Sequence, residues 1–188
     1  MSWVLASASP RRKELLSGLI SEFEIIPSLA DEEVVGEVSP RVYVEELAKR
    51  KALEVSIRPE NEGKIVIGSD TVVAFEEKIL GKPSDEEDAF RMLKMLSGKE
   101  HAVYTGVCFA CTKEGKTRIK TSSDKTAVYF NRLSNEWISE YVAGGSPMDK
   151  AGAYGIQDGG LVDKIEGSYT NVVGFPVELV EKMMREWL

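Results

Sequence analysis

Trp3-Val4-Leu5-Ala6-Ser7-Ala8-Ser9-Pro10-Arg11-Arg12-Lys13-Glu14-Leu15-Leu16 reads as a strand that turns straight into a helix. Trp3 to Ala6 is a short apolar run, suited to a buried strand. Ser9 followed by Pro10 is a helix start, with serine as N-cap and proline at the first helical position. Leu15, Leu16 and Leu19 give that helix an apolar face. The charge of the first turn runs against the dipole rule, because Arg11, Arg12 and Lys13 stand where Asp or Glu is favoured. An anion among the exposed backbone N–H groups would account for them, since helix N-termini bind phosphate and guanidinium forks bind it in a bidentate manner. Solvated surface arginines account for them too, and the turn by itself does not choose.

Working outward, Phe23 to Ile26 reads as a second strand, and Pro27 to Gly36 as a loop carrying Asp31, Glu32 and Glu33. Such a triplet is a solvated surface or the donor set of a divalent cation. Ser39-Pro40 starts another helix, with Val44, Leu47, Ala48 and Ala52 on one face. Lys49-Arg50-Lys51 is placed near its last turns, where cations suit the dipole. Ile65 to Phe75 is the most buried-looking stretch, β-branched on both faces, and Asp70 sits in its middle. A carboxylate there is costly unless it has a cation or a proton to handle, so Asp70 is a site candidate. Gly68-Ser69 before it lets the backbone turn or be approached closely.

Glu76-Glu77-Lys78 reads as a hairpin tip, and Pro83 keeps Lys82 extended. Ser84-Asp85-Glu86-Glu87 reads as a capping box opening a helix through Ala89, Phe90, Leu93 and Leu96. Tyr104–Thr112 and Thr117–Phe130 form a long hairpin. A helix follows from Ser134. Met148 to Gly160 is a glycine-rich loop suited to close contact with a flat ligand, Leu161 to Ile165 a strand, and Pro176 opens a closing amphipathic helix to Leu188.

The totals bound the function. A chain of 188 residues with net charge −7 argues against a non-specific nucleic-acid binder, which needs a basic face. No run approaches a membrane span and no signal peptide is evident, so a cytoplasmic protein without membrane partners is expected. Cys108 and Cys111, three residues apart on a strand, point to opposite faces and read as structural thiols. His101, the single histidine, reads as structural. Collected, the cations Arg11, Arg12, Lys51 and Lys82, the carboxylates Glu32 and Asp70 and the amide of Gln157 fit a metal-bound polyphosphate attacked by water, with one base edge read by the amide.

Ser7-Ala8-Ser9-Pro10-Arg11-Arg12, Asp31-Glu32, Leu47-Ala48 with Lys51-Ala52, Gly68 to Val73, Leu80-Gly81-Lys82-Pro83, Leu96-Ser97-Gly98, His101 to Gly106, Lys150 to Gln157 and Gly167 to Gly174 together resemble the Maf (septum formation) nucleotide pyrophosphatases, in order and over nearly the whole chain. The resemblance implies an α/β fold related to the inosine-triphosphate pyrophosphatases: an elongated, mixed, twisted sheet with flanking helices, one domain over residues 1–188 with two lobes around a cleft. It implies metal-dependent hydrolysis, with Mg or Mn, of a nucleoside triphosphate to monophosphate and pyrophosphate. Asp70 matches the general base and Arg11, Thr71 and Gln157 the specificity positions. Arg12, Lys51 and Lys82 match phosphate contacts, Ser7 and Ser9 lie in the substrate-binding turn, and Glu32 and Asp70 are the metal carboxylates. The Gly-Ile-Gln form is that of members acting on dTTP and UTP rather than on 7-methyl-GTP. A homodimer fits the family. A nucleotide-binding regulator of cell division without catalysis is the other class of reading. Two positions depart from the pattern: Ser146 stands where many members have Glu, and Asp158 where glycine is common.

Overall fold

The computed structural model describes residues 2–187. Seven strands form one sheet: β1 (Trp3–Leu5), β2 (Glu24–Ile25), β3 (Ile65–Phe75), β4 (Lys78–Leu80), β5 (Glu100–Lys113), β6 (Lys116–Phe130) and β7 (Val162–Glu166). The order is β2-β1-β3-β5-β6-β7, with β4 paired to β3 off this path. β1 lies parallel to β2 and β3, whereas the β3-β5-β6-β7 pairings are antiparallel. This is the mixed sheet with flanking helices expected from the motifs. The helices are α1 (Pro10–Ser17), α2 (Pro40–Ser56), α3 (Glu86–Leu96), α4 (Asn135–Ala143), α5 (Tyr169–Val173) and α6 (Val177–Trp187). None of the described helices is long and apolar enough to cross a membrane.

Strand alternation distributes the core. Ile65 and Ile67 of β3 join Leu16 of α1 and Val180, Met183 and Trp187 of α6 on one face. Val66, with Cys108 and Ala110 of β5, packs under Ala48, Ala52 and Val55 of α2 on the other. Cys108 and Cys111 are free and belong to these two opposite clusters. A third cluster, built on Val73, Val103 and Val128, packs under α3 and α4.

Two glycines let α2 lie directly on the sheet. A Cβ on Gly68 would stand 2.3 Å from the Ala48 carbonyl oxygen, and one on Gly106 would stand 2.2 Å from that of Val44. The close approach anticipated at Gly68 is therefore real, and Gly106 supplies a second.

Several boundaries differ from the sequence reading. α1 ends at Ser17, so Leu19 lies beyond it and Leu16 alone of its leucines is fully buried. The N-cap of α3 is Asp85 rather than Ser84, with the Asp85 carboxylate accepting from Asp88 N–H. Asp88 in turn accepts from Ser84 N–H, so the return bond reaches the residue before the cap rather than the cap itself. The five-residue helix α5, capped by Ser168, was not anticipated because it is too short to show a period. α2 runs on to Ser56 and carries no basic residue in its last turn. The dipole explanation for Lys51 therefore fails, and its partners lie elsewhere.

Candidate active site

Alternation along β3 sets the site. Asp70 shares its face with Val66 and Gly68 and so points at α2, where Lys51 comes down to meet it. The Lys51 ammonium donates to Asp70 Oδ1 at 2.6 Å and pairs with Glu32 Oε1 at 2.8 Å. The Lys51 and Asp70 side chains are each only 12% exposed, while Glu32 reaches in from the loop after β2 and is 65% exposed. The hydrogen bond from Lys51, with the charges of Lys82 and Arg12, holds the Glu32 carboxyl below the ordinary value against the opposing effect of burial. One ammonium thus gathers two carboxylates at a single point.

Thr71 points to the opposite face and meets α1 and the end of α5. Arg12 donates through Nε to the Gly174 carbonyl at 3.0 Å and through Nη1 to Ser69 O at 2.9 Å and Ser7 Oγ at 3.2 Å. Its Nη2 donates to Thr71 Oγ1 at 3.2 Å. Burial pulls its pKa down, and Asp70 works the other way. The Arg12 fork therefore ties α1, β3 and α5 together as well as facing the cleft. Ser9 caps α1 by accepting from Arg12 N–H, as expected. Arg11 reaches across to Asp149 at 3.5 Å.

Ser7, Ser9, Arg11, Arg12, Glu32, Lys51, Asp70, Thr71, Lys82 and Gln157 all line one cleft of about 650 Å³. Arg11, Arg12, Lys51, Lys82 and Lys150 face Glu32, Asp70 and Asp149 across it, an excess of cations in a chain of net charge −7. Such local concentration focuses field toward an anionic ligand. Gln157 sits exposed on the opposite wall, in a 3-10 turn over Ile156–Asp158. Asp158 accepts from Tyr141 Oη and Ser146 Oγ, at 2.5 and 2.7 Å, so the two positions that depart from the family pattern touch each other.

Three further side chains that line the cleft, Tyr43, Lys150 and Tyr154, stand outside the site candidates collected from the sequence, although Lys150 and Tyr154 lie in its glycine-rich loop. Tyr43 stands on the cleft-facing stripe of α2, four and eight residues before Leu47 and Lys51; that helical spacing was the available signal. Lys150 lines the loop wall, pairing with Asp149 and donating to Ser146. Tyr154 closes the floor, its hydroxyl 2.8 Å from His101 Nε2. His101 is buried against Phe130 and Tyr154, which fits the structural role expected of it.

Among the described residues no group of three or more His, Cys, Asp or Glu side chains is arranged to hold a metal. Glu32 and Asp70 still fit a hard cation of the kind that takes one or two protein carboxylates and completes its shell with water and substrate phosphates. Their oxygens already lie within 2.8 Å of a common positive centre, the Lys51 ammonium.

The whole architecture, covering the full length of both chains, is similar to the Ham1 protein of Staphylococcus aureus, with a TM-score of 0.53 at 14% identity. A Ham1 protein from Coxiella burnetii matches equally, at 0.53 and 14%, over 99% of each chain. The fold is therefore that of the Ham1-type proteins. Within that fold the chain belongs to the Maf family, whose model, described as Maf-like protein, matches residues 2–187. Relatives include proteins named dTTP/UTP pyrophosphatase from Thermococcus onnurineus, 52% identical over 96% of this chain and 95% of that one, and from Clostridium novyi, 50% identical over 97% and 96%.

Proposed function

We propose that this protein hydrolyses nucleoside triphosphates, dTTP and UTP foremost, to the monophosphate and pyrophosphate. The observation that carries the reading is the Asp70–Lys51–Glu32 cluster at the base of a cation-rich cleft, in a chain half identical to proteins bearing that name. Asp70 takes the proton of a water whose oxygen bonds to the α-phosphorus as the bond from that phosphorus to the bridging oxygen of pyrophosphate breaks. Lys51, Lys82 and Arg12 face the phosphoryl oxygens and stabilise the charge that gathers on the leaving pyrophosphate. Ser7 and Ser9, on the turn before α1, line the same phosphate end. Glu32 and Asp70 would hold Mg or Mn together with the substrate. The chemistry such a cation supplies is neutralisation of phosphate charge and a more acidic water. Arg11 and Thr71 on one wall and Gln157 on the other flank the space where the base would be read, and the Gln157 amide offers one donor face and one acceptor. A cytoplasmic protein acting on free nucleotides suits the acidic surface.

The test is pyrophosphate release from dTTP, UTP, CTP, GTP, ITP and 7-methyl-GTP, with magnesium and with chelator, for the wild type and Asp70→Asn. Metal-dependent cleavage led by dTTP and UTP is expected. Asp70→Asn should lose about three orders of magnitude in turnover while still binding nucleotide. Wild-type turnover in that variant would sink the role given to Asp70. A wild type that binds nucleotide and releases nothing would favour a regulatory protein instead.

A further inference from the structure

The turn that carries Gln157 has no strand or long helix to hold it. It lies between Gly155 and Gly159, among the 3-10 turns that follow α4. Its support comes from side chains. Tyr141 of α4 donates its hydroxyl to Asp158 Oδ2 at 2.5 Å and accepts from Gly155 N–H at 3.3 Å, so one phenol grips the turn at both ends. Ser146 donates to the same Asp158 oxygen at 2.7 Å, and Lys150 donates to Ser146 Oγ at 3.0 Å. Trp137 stacks on the Tyr141 ring at 5.1 Å and 17°, which fixes the phenol. The hydrogen bonds from Tyr141 and Ser146 and the charge of Lys150 hold the Asp158 carboxyl below its ordinary value, although burial acts against them as the largest single influence.

Asp158 therefore does not present a bare charge beside the amide of Gln157. Its carboxylate is turned back onto α4 and the Ser146 turn. A glutamate at position 146 would put a second carboxylate against it. The Ser146 hydroxyl, a donor in its place, turns that contact from repulsion to attraction.

We propose that Asp158, with Ser146 and Tyr141, is a positioning residue that sets the orientation of Gln157 and hence the affinity of the cleft for the pyrimidine base. The assignment rests on the pyrophosphatase reading for its substrate, but not for its mechanics. The group touches no reacting atom, so its removal acts on recognition and leaves the phosphate chemistry alone.

The experiment is a double-mutant cycle with Gln157→Ala, read by steady-state kinetics on dTTP and UTP, together with amide hydrogen exchange of the nucleotide-free protein. Asp158→Ala should raise KM about fivefold with kcat changed less than about twofold, the scale of one lost hydrogen bond. Asp158→Asn keeps an acceptor oxygen and should recover most of the loss. In the Gln157→Ala background Asp158→Ala should add nothing. Amides from Gly155 to Gly160 should exchange about fivefold faster in Asp158→Ala, with β3 unchanged. Additive kinetic losses, a fall in kcat equal to the loss in kcat/KM, or unaltered exchange would each overturn the proposal. Exchange needs no turnover. A wild type that cleaves no pyrimidine triphosphate would therefore end the functional reading, while the tie between Asp158 and the Gln157 turn would still be decided by exchange.

Discussion

The two walls of the cleft hold their charges by opposite means. The wall of α1, β3 and α2 is built on regular elements, and its central ion pair, Lys51 with Asp70, is only 12% exposed on each side. Lys51 and Asp70 meet under a helix that two glycines allow to rest on the sheet, and the Arg12 guanidinium is fastened to the Ser7 turn, to β3 and to the Gly174 carbonyl after α5. The wall from Gly145 to Gly160 is a series of 3-10 turns bracketed by the positive-φ glycines Gly145, Gly159 and Gly160. Its middle is seated on Val73 and bonded from Gly152 N–H to the Gly81 carbonyl, but its outer turn, which carries Gln157, is held by side-chain hydroxyls and one lysine. On the proposed reading, bond breaking requires the fixed distances that the first wall offers, and recognition of a base tolerates more. Both departures from the family pattern, Ser146 and Asp158, fall on the second wall. Support by side chains can exchange one charge for another; support by backbone packing cannot.

Gly106→Ala is the most direct way to break the comparison. Its methyl would meet the Val44 carbonyl carbon at 2.5 Å and the Glu45 nitrogen at 2.8 Å, backbone atoms that cannot swing aside. Lifting α2 should cost about 3 kcal/mol of stability in urea and carry Lys51 away from Asp70, lowering kcat as well. A methyl at Gly159, whose φ is +73 with nothing within 4 Å, meets only backbone strain and should cost about 1 kcal/mol. Equal losses at the two positions would mean that the first wall is not held by close packing.

His101 sharpens the contrast through pH. It lies beneath the second wall, bonded to Tyr154, and burial pushes its pKa down to about 4 from 6.5. The folded protein therefore resists a proton that the unfolded chain accepts. Stability from this group is complete above pH 6.5 and falls as pH drops toward 4. The loss should reach about 2 kcal/mol by about pH 5. Urea midpoints of the wild type and His101→Gln measured across that window should converge as pH falls. Parallel curves would show that His101 titrates no differently in the folded state.

How much of this could be read in the sequence depended on whether the signal was local. Asp70 stood out because a carboxylate inside a β-branched run has no cheap local explanation, and the Ser9-Pro10 cap because its meaning lies within four residues. The sequence misplaces Lys51 at a helix end, because the buried stripe of α2 runs on past it to Val55 and Ser56. The second duty of Arg12 depends on the Gly174 carbonyl, 162 residues away, and the need for glycine at 106 depends on a helix that crosses it. The meeting of Ser146 with Asp158 was hidden for the same reason: each looked like an isolated departure until the turn brought them within 2.7 Å.

The smallest expected effect lies where the walls touch. Arg11 on α1 pairs with Asp149 of the second wall at 3.5 Å, with side-chain exposures of 33% and 65%. An ion pair so exposed contributes less than about 1 kcal/mol to folding. Asp149→Ala should therefore leave the urea midpoint nearly unchanged. It removes a negative charge from the cleft and frees the Arg11 guanidinium for an incoming anion, so KM for dTTP should fall about twofold at low salt, with the gain shrinking as salt screens it. The opposite result, a higher KM that salt does not affect, would mean that Asp149 acts mainly through Lys150, whose ammonium it holds at 2.9 Å beside Ser146. The weak contact across the cleft would then be a further support of the loop wall, and the division between the two walls would be sharper than the Arg11 pair suggests.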